Sequence, residues 1–181
     1  MNTRRKLTAS GAVLATLAGS LTIVAVSAGT ASAGCQPEGD DLKPRYVASS
    51  AKKGKIKTSL ASAAVQGPGE ARYHDVKTAA TTVEGSAEAK AEIGKWIAKA
   101  EAKAGVKLTK KWSHKEEWEY VLYIDRGKTQ RIRMWHLAKK QIITKYIWDV
   151  AHCSKTKVKW KHTMLTPMKG NSNNVWLREN A

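Results

Sequence analysis

The chain has 181 residues, with 32 basic side chains against 15 acidic ones, seven Trp, two Cys and no Phe. A formal net charge of +17 directs attention to anionic partners, whether envelope polymers, lipids or acidic proteins. His152-Cys153 offers one thiolate for a metal, and no ligand pair has helical spacing, so neither a metal nor a cofactor is expected.

Residues 1–33 read as a cleaved signal peptide. Arg4, Arg5 and Lys6 form the positive start, Ala12 to Ala28 is apolar but softened by Thr16, Gly19, Ser20 and Thr22, and Ala31-Ser32-Ala33 gives a small-residue cleavage pattern. The expected location is therefore secreted, extracellular, with no transmembrane segment in the mature chain. What remains, residues 34–181, suits one hydrophobic core. In an exported chain, Cys35 and Cys153 are expected to form a disulfide closing most of the mature sequence into one loop.

Residues 34–69 are punctuated by Pro37, Gly39, Pro44, Gly54, Gly67, Pro68 and Gly69, with few large apolar side chains. They are expected to form a loop-rich arm, with short extended pieces at 45–48 and 55–60, that is either flexible or orders on a partner. Residues 70–181 are expected to be a single α+β domain. Ala71 to Val83 has the Tyr, Val and Thr of a strand. A helix is predicted over 86–104, with Ser86 as N-cap, Glu88 in the first turn and Gly105 after the end. Ala89, Ile93, Trp96, Ile97, Ala100 and Ala104 recur at helical spacing, and Trp96 is the plug that packs this helix on a sheet.

Beyond Gly105 the period changes from 3.6 to 2, and strands are expected over about 106–178. Trp118, Tyr120, Leu122 and Ile124 share a face; Asp125-Arg126-Gly127-Lys128 reads as a hairpin turn; Thr129 to Leu137 returns with Ile132, Met134 and His136 opposite Arg131, Arg133 and Trp135. A second turn is predicted at Ala138-Lys139-Lys140, followed by a strand with Ile142, Thr144, Tyr146, Trp148 and Val150 on one face. After Cys153, Lys155, Lys157, Lys159 and Lys161 alternate with Thr156, Val158, Trp160 and His162, so a regular strand would carry four lysines on one face. A last strand is expected near 174–178. The fold class is α+β: a mainly antiparallel sheet, its C-terminal part a meander of about five strands, with one packed helix.

Chemistry is sparse. No Ser or Cys sits in a nucleophile elbow. A nuclease-type enzyme would need His136, His152 and His162, on or near adjacent strands, to converge with Glu117, Glu119 or Arg131. Glu117 and Glu119 are more simply salt partners for lysines on a wet face. Binding is the better-supported chemistry. Residues 107–181 hold 17 basic and 6 acidic residues, against 12 and 9 in residues 34–106, so the positive charge is regional. Lysines two residues apart on a strand stand about 6.7 Å apart, near the charge spacing of a polyanion. Trp135 shares a face with Arg131 and Arg133 and is the tryptophan expected to be exposed. The candidate contact residues are Arg131, Arg133, Trp135, Lys155, Lys157, Lys159 and Lys161. Their expected partner is an anionic cell-wall polymer or lipid surface, or a secreted protein; nucleic acid is the less favoured polyanion.

The Ala-Ser-Ala leader, the arm, the Ala/Lys/Glu helix and the Trp-rich tail together resemble small secreted actinobacterial proteins of unknown function. The segment Tyr120 to Trp135, strand then Asp-Arg-Gly-Lys turn then strand, resembles a unit of aerolysin-type β-pore-forming proteins. The first resemblance implies a secreted protein; the lack of a catalytic motif and the regional charge lead to the expectation of a non-enzymatic binder, in keeping with a component of a secreted antagonistic toxin system. The second implies a membrane-active pore-former, although no long Ser/Thr-rich insertion hairpin is present.

Overall fold

The computed structural model describes residues 35–181, and the predicted leader lies outside them. A short 3-10 turn (Gly39–Leu42) precedes β1 (Arg45–Ala61), β2 (Val65–Gln66) and β3 (Gly69–Thr82). Helices α1 (Ala87–Ala91) and α2 (Ile93–Ala104) follow, then β4 (Lys111–Ile124), β5 (Thr129–Asp149), β6 (Ser154–Pro167) and β7 (Asn174–Asn180). The chain is thus a mainly antiparallel α+β protein with helix packed on sheet.

β5 is the hub. One of its edges takes β1 and then β2; the other takes β6 along its second half and β7 along its first. β3 and β4 form a separate two-stranded ribbon, paired without a break from Gly69↔Ile124 to Thr82↔Lys111. The turn at Asp125–Lys128 forms as expected, with Gly127 at φ 77° and the Lys128 N–H donating to the Asp125 carbonyl. It does not close a hairpin, because β4 and β5 enter different sheets. The ribbon instead lays Ala71, Tyr73, Trp112, Trp118 and Ile124 against Leu60, Ile132 and Met134 as one core cluster.

The turn predicted at Ala138-Lys139-Lys140 is absent, and β5 runs through it for 21 residues. Ile132, Met134, His136 and Ala138 are buried before this point, and Gln141 and Ile143 after it. The ladder to β6 is unshifted from Ala138 to Lys145, so even and odd side chains lie on opposite faces throughout. One face of the strand is covered at its start and the opposite face further on. A change of buried parity within one strand produces the same break in pattern as a turn between two strands.

The second core sits on that other face. Trp96, Ile93, Ala89 and Ala100 of the helices pack with Tyr46, Ile143, Trp160 and Met164, and the Gln141 amide donates to the Ala100 carbonyl at 2.9 Å. Trp96 is fully buried, its indole N–H donating to the Ala89 carbonyl at 2.8 Å. Gly105 closes α2 in the left-handed conformation, φ 67°. The expected single helix is broken at Glu92, and Ser86 stands at the N-cap position without a side-chain capping bond. Four of the seven tryptophans, Trp96, Trp112, Trp118 and Trp160, are buried, filling an interior that has no Phe.

The segment 34–69 is not a loop-rich arm. β1 spans 17 residues and pairs with β5 from Arg45↔Tyr146 to Ala61↔Arg133, with two register shifts. Its large buried side chains are only Tyr46, Ile56 and Leu60, because β5 supplies most of the apolar surface on which it docks. Gly54 contributes by having no side chain, for a Cβ there would collide with Leu165. Cys35 and Cys153 form a disulfide with Cα atoms 5.3 Å apart, and the Trp148 indole donates to the Cys35 carbonyl at 3.0 Å. Among the described residues no helix is long and apolar enough to cross a membrane.

Candidate anion-binding face

Cross-strand partners in an antiparallel pair project to the same face. Lys57↔Trp135, Lys55↔Leu137 and Lys53↔Lys139 therefore bring three β1 lysines beside the odd-numbered side chains of β5. On the other edge, Trp135↔Val175, Arg133↔Leu177 and Arg131↔Glu179 extend the same face onto β7. The opposite face here carries Ile56, Ile132, Met134 and His136 into the core, so this face points outward. Its register holds Lys53, Lys55, Lys57, Arg131, Arg133 and Lys139 with one carboxylate, Glu179.

Trp135 is at the centre. It is half-buried rather than exposed as expected, because two β1 side chains lie over it: Lys57 Nζ is 5.3 Å and Lys55 Nζ 5.9 Å from the ring centroid. Both distances are within cation–π range. The indole Nε1 is buried and has no hydrogen-bond partner among the described residues. Arg131 and Arg133 are less free than alternation suggested. Arg131 Nε and Arg133 Nε donate to one Glu179 oxygen at 2.8 and 2.7 Å, Lys57 Nζ to the other at 2.5 Å, and Arg133 also reaches the Thr58 carbonyl. One carboxylate thus clips three cations into a fixed array and leaves their excess charge facing out.

Glu179 is held down to about 2 by hydrogen bonds from Lys57, then Arg133, and by Arg131. A carboxylate with a depressed folded-state value stabilises the fold above its unfolded value, near 4.5, and loses that contribution as pH falls towards 2. Unfolding midpoints followed through this window are expected to fall more steeply for the native chain than for Glu179→Gln. Equal slopes would mean that the clip contributes nothing to stability.

The lysine-rich strand is arranged differently. Lys155 turns towards the 3-10 turn, with Nζ 2.6 Å from the Asp40 carbonyl and 3.6 Å from the Asp41 carboxylate, and its side chain is 23% exposed. A register shift between Lys145 and Tyr146 adds a residue to β6 at Lys159. Lys157, opposite Ile147, and Lys161, opposite Thr144, consequently project to opposite faces. Lys157, Lys159 and Lys161 are exposed, but the four lysines do not line one face. Lys157 is also distant from Trp135: their places on β5 differ by twelve residues, about 40 Å along a strand.

The histidines do not converge. His136 is fully buried, bonded to the Asn174 amide oxygen and the Met168 carbonyl at 2.7 Å each, and stacked on Trp112 at 4.1 Å. His152 pairs with Asp149 at 2.7 Å, and His162 lies 3.4 Å from Glu88. Glu117 pairs with His74 at 2.7 Å on the exposed ribbon. Among the described residues no group of three or more His, Cys, Asp or Glu is placed to hold a metal ion.

Lys53, Lys55 and Lys57 were missed as contact residues because residues 34–69 read as a loop-rich arm, in which 55–60 was only a short extended piece with no partner strand assigned. The signal was present in Lys53-Gly54-Lys55-Ile56-Lys57, an alternation of the same kind as that read in β6. Fold and face together define a disulfide-tied, sheet-dominated α+β protein with a cationic, aromatic-centred outer surface. No protein-family model, curated protein or solved structure matches the chain.

Proposed function

We propose that the protein is a secreted, non-enzymatic cationic binder of an anionic cell-envelope surface, and that it engages this surface through the outer face of β1, β5 and β7. The observation that carries the reading is the set of six cations around half-buried Trp135, opposed by one carboxylate already shared among three of them. Lysines about 6.7 Å apart along β1 match a repeating anion such as a wall phosphodiester or a packed headgroup layer. Trp135 adds an amphipathic ring suited to sugar or headgroup contact. A non-enzymatic role is in keeping with the dispersal of His136, His152 and His162. Participation in a secreted antagonistic system would place the same face on a target cell or on a protein partner with acidic surface.

Binding to teichoic-acid-bearing cell walls or to anionic liposomes is expected to be strong at low salt and to fall steeply towards moderate salt, as exposed charges become screened over about 8–10 Å. Salt-insensitive or absent binding would remove the electrostatic reading. Release of an entrapped dye from the liposomes at low salt would replace it with membrane disruption.

A further inference from the structure

We propose a second anion site at the far end of the sheet, in the cleft between the 3-10 turn, the start of β1, α2 and β6, with a compact, multiply charged phosphate group as its ligand. This assignment goes beyond surface binding and does not depend on it. The cleft has a volume of about 430 Å³ and is lined by Lys43, Arg45, Tyr46, Lys95, Lys99 and Lys155, with Asp40 as the acidic lining residue. Five cations from three separate chain segments thus face one concavity of a size suited to a small ligand.

Three of the five are already positioned. Lys43 bonds to Asp40 at 2.8 Å, Lys155 to the Asp40 carbonyl, and Arg45 donates to the Lys155 carbonyl at 3.3 Å while its guanidinium lies 4.8 Å from the Tyr146 ring centroid. Lys95 and Lys99 are exposed and pair with no carboxylate among the described residues. They stand one turn apart on one face of α2, where like charges four residues apart weaken a helix. Helical stability alone would favour an acidic residue at one of these positions, whereas a ligand phosphate would neutralise both. The wall opposite α2 is also fixed, since the disulfide and the Trp148–Cys35 hydrogen bond hold the chain just before the 3-10 turn, and a fixed wall lowers the ordering cost of binding.

The cleft is distinct from the outer face. Arg45 pairs with Tyr146 and Lys57 with Trp135, a separation of eleven residues on β5, about 36 Å along the strand. The expected ligand is a phosphomonoester end or a short polyphosphate. A long phosphodiester chain distributes single charges and would make less use of five cations gathered at one concavity.

Titration of the disulfide-bonded protein with inorganic tripolyphosphate, followed by calorimetry, tests the assignment. Saturable binding with one site is expected, weakened at least about tenfold by K95E/K99E, the scale of losing two charged contacts. Lys111→Glu with Lys115→Glu, exposed positions on β4, changes net charge equally and is expected to leave the affinity within about twofold. If K95E/K99E unfolds, Lys95→Gln with Lys99→Gln decides, with a smaller loss in the same direction. No saturable binding, or equal weakening by the β4 pair, would overturn the site. So would much tighter binding per phosphate for long-chain polyphosphate, which would indicate a track along the surface. Loss of wall binding with tripolyphosphate binding intact would count against the outer face alone.

Discussion

Opening the Cys35–Cys153 bridge is expected to lower the free energy of unfolding by about 5 kcal/mol at most. The cysteines are 118 residues apart in sequence, and cross-linking a loop of that length removes about this much conformational freedom from the unfolded chain in the chain-entropy model. The bridge also has a local role: it holds the start of the described chain beside the turn between β5 and β6, where Trp148 bonds to Cys35. Denaturant unfolding of the oxidised protein against the Cys35→Ser, Cys153→Ser double variant measures the effect. A shift below 1 kcal/mol would mean that the unfolded chain is already confined, or that the N-terminal segment gains nothing from its tether.

Trp96→Ala is expected to cost about 3–5 kcal/mol, the range for truncating a large aromatic in a packed core. Trp96 is fully buried at the centre of the cluster that joins the helices to Tyr46, Ile143, Trp160 and Met164. Trp96→Phe keeps most of the ring but loses the bond to the Ala89 carbonyl, which corresponds to about 1 kcal/mol. The two variants therefore separate packing from hydrogen bonding. If Ala and Phe were equally damaging, the bond and not the packing would be the main contribution of this side chain.

How far the sequence could be read depended on what each segment had to show. The helix was legible because Ile93, Trp96 and Ala100 recur at helical spacing and all three are buried. Its break at Glu92 was not legible, since nothing local to Ala91-Glu92-Ile93 forbids a continuous helix. The bridge was legible because a chain with two cysteines, read as exported from its leader pattern, has one simple pairing. β1 was obscured because its partner supplies the apolar surface: Ala, Ser, Lys and Gly dominate a strand whose large buried side chains are Tyr46, Ile56 and Leu60. β5 was divided in two because buried parity changes after Ala138, and parity is a tertiary property set by which elements cover which face. The pairing of β4 with β3 rather than β5 was likewise beyond local pattern, because the turn at Gly127 is compatible with either.

The candidate site shows the same division. Arg131, Arg133 and Trp135 were correctly grouped on one face by alternation, but the Glu179 carboxylate that clips both arginines comes from a strand 46 residues beyond Arg133. The lysine comb was read as one surface because a single strand, taken alone, shows no bulge; the extra residue at Lys159 exists only relative to β5. Alternating lysines are thus evidence of a solvated strand first. Their value as a ligand surface depends on which neighbours complete the face.

In the proposed function, the outer face of β1, β5 and β7, rather than overall positive charge, carries the affinity for an anionic envelope. Two triple variants of identical net charge test it most directly: K53E/K55E/K57E on the face and K157E/K159E/K161E on β6. Both are compared with the native chain for binding to teichoic-acid-bearing walls at one low salt concentration. The face variant is expected to lose binding by at least about tenfold, while the β6 variant retains most of it. Equal losses in the two variants, or a larger loss from β6, would contradict the assignment of binding to this face.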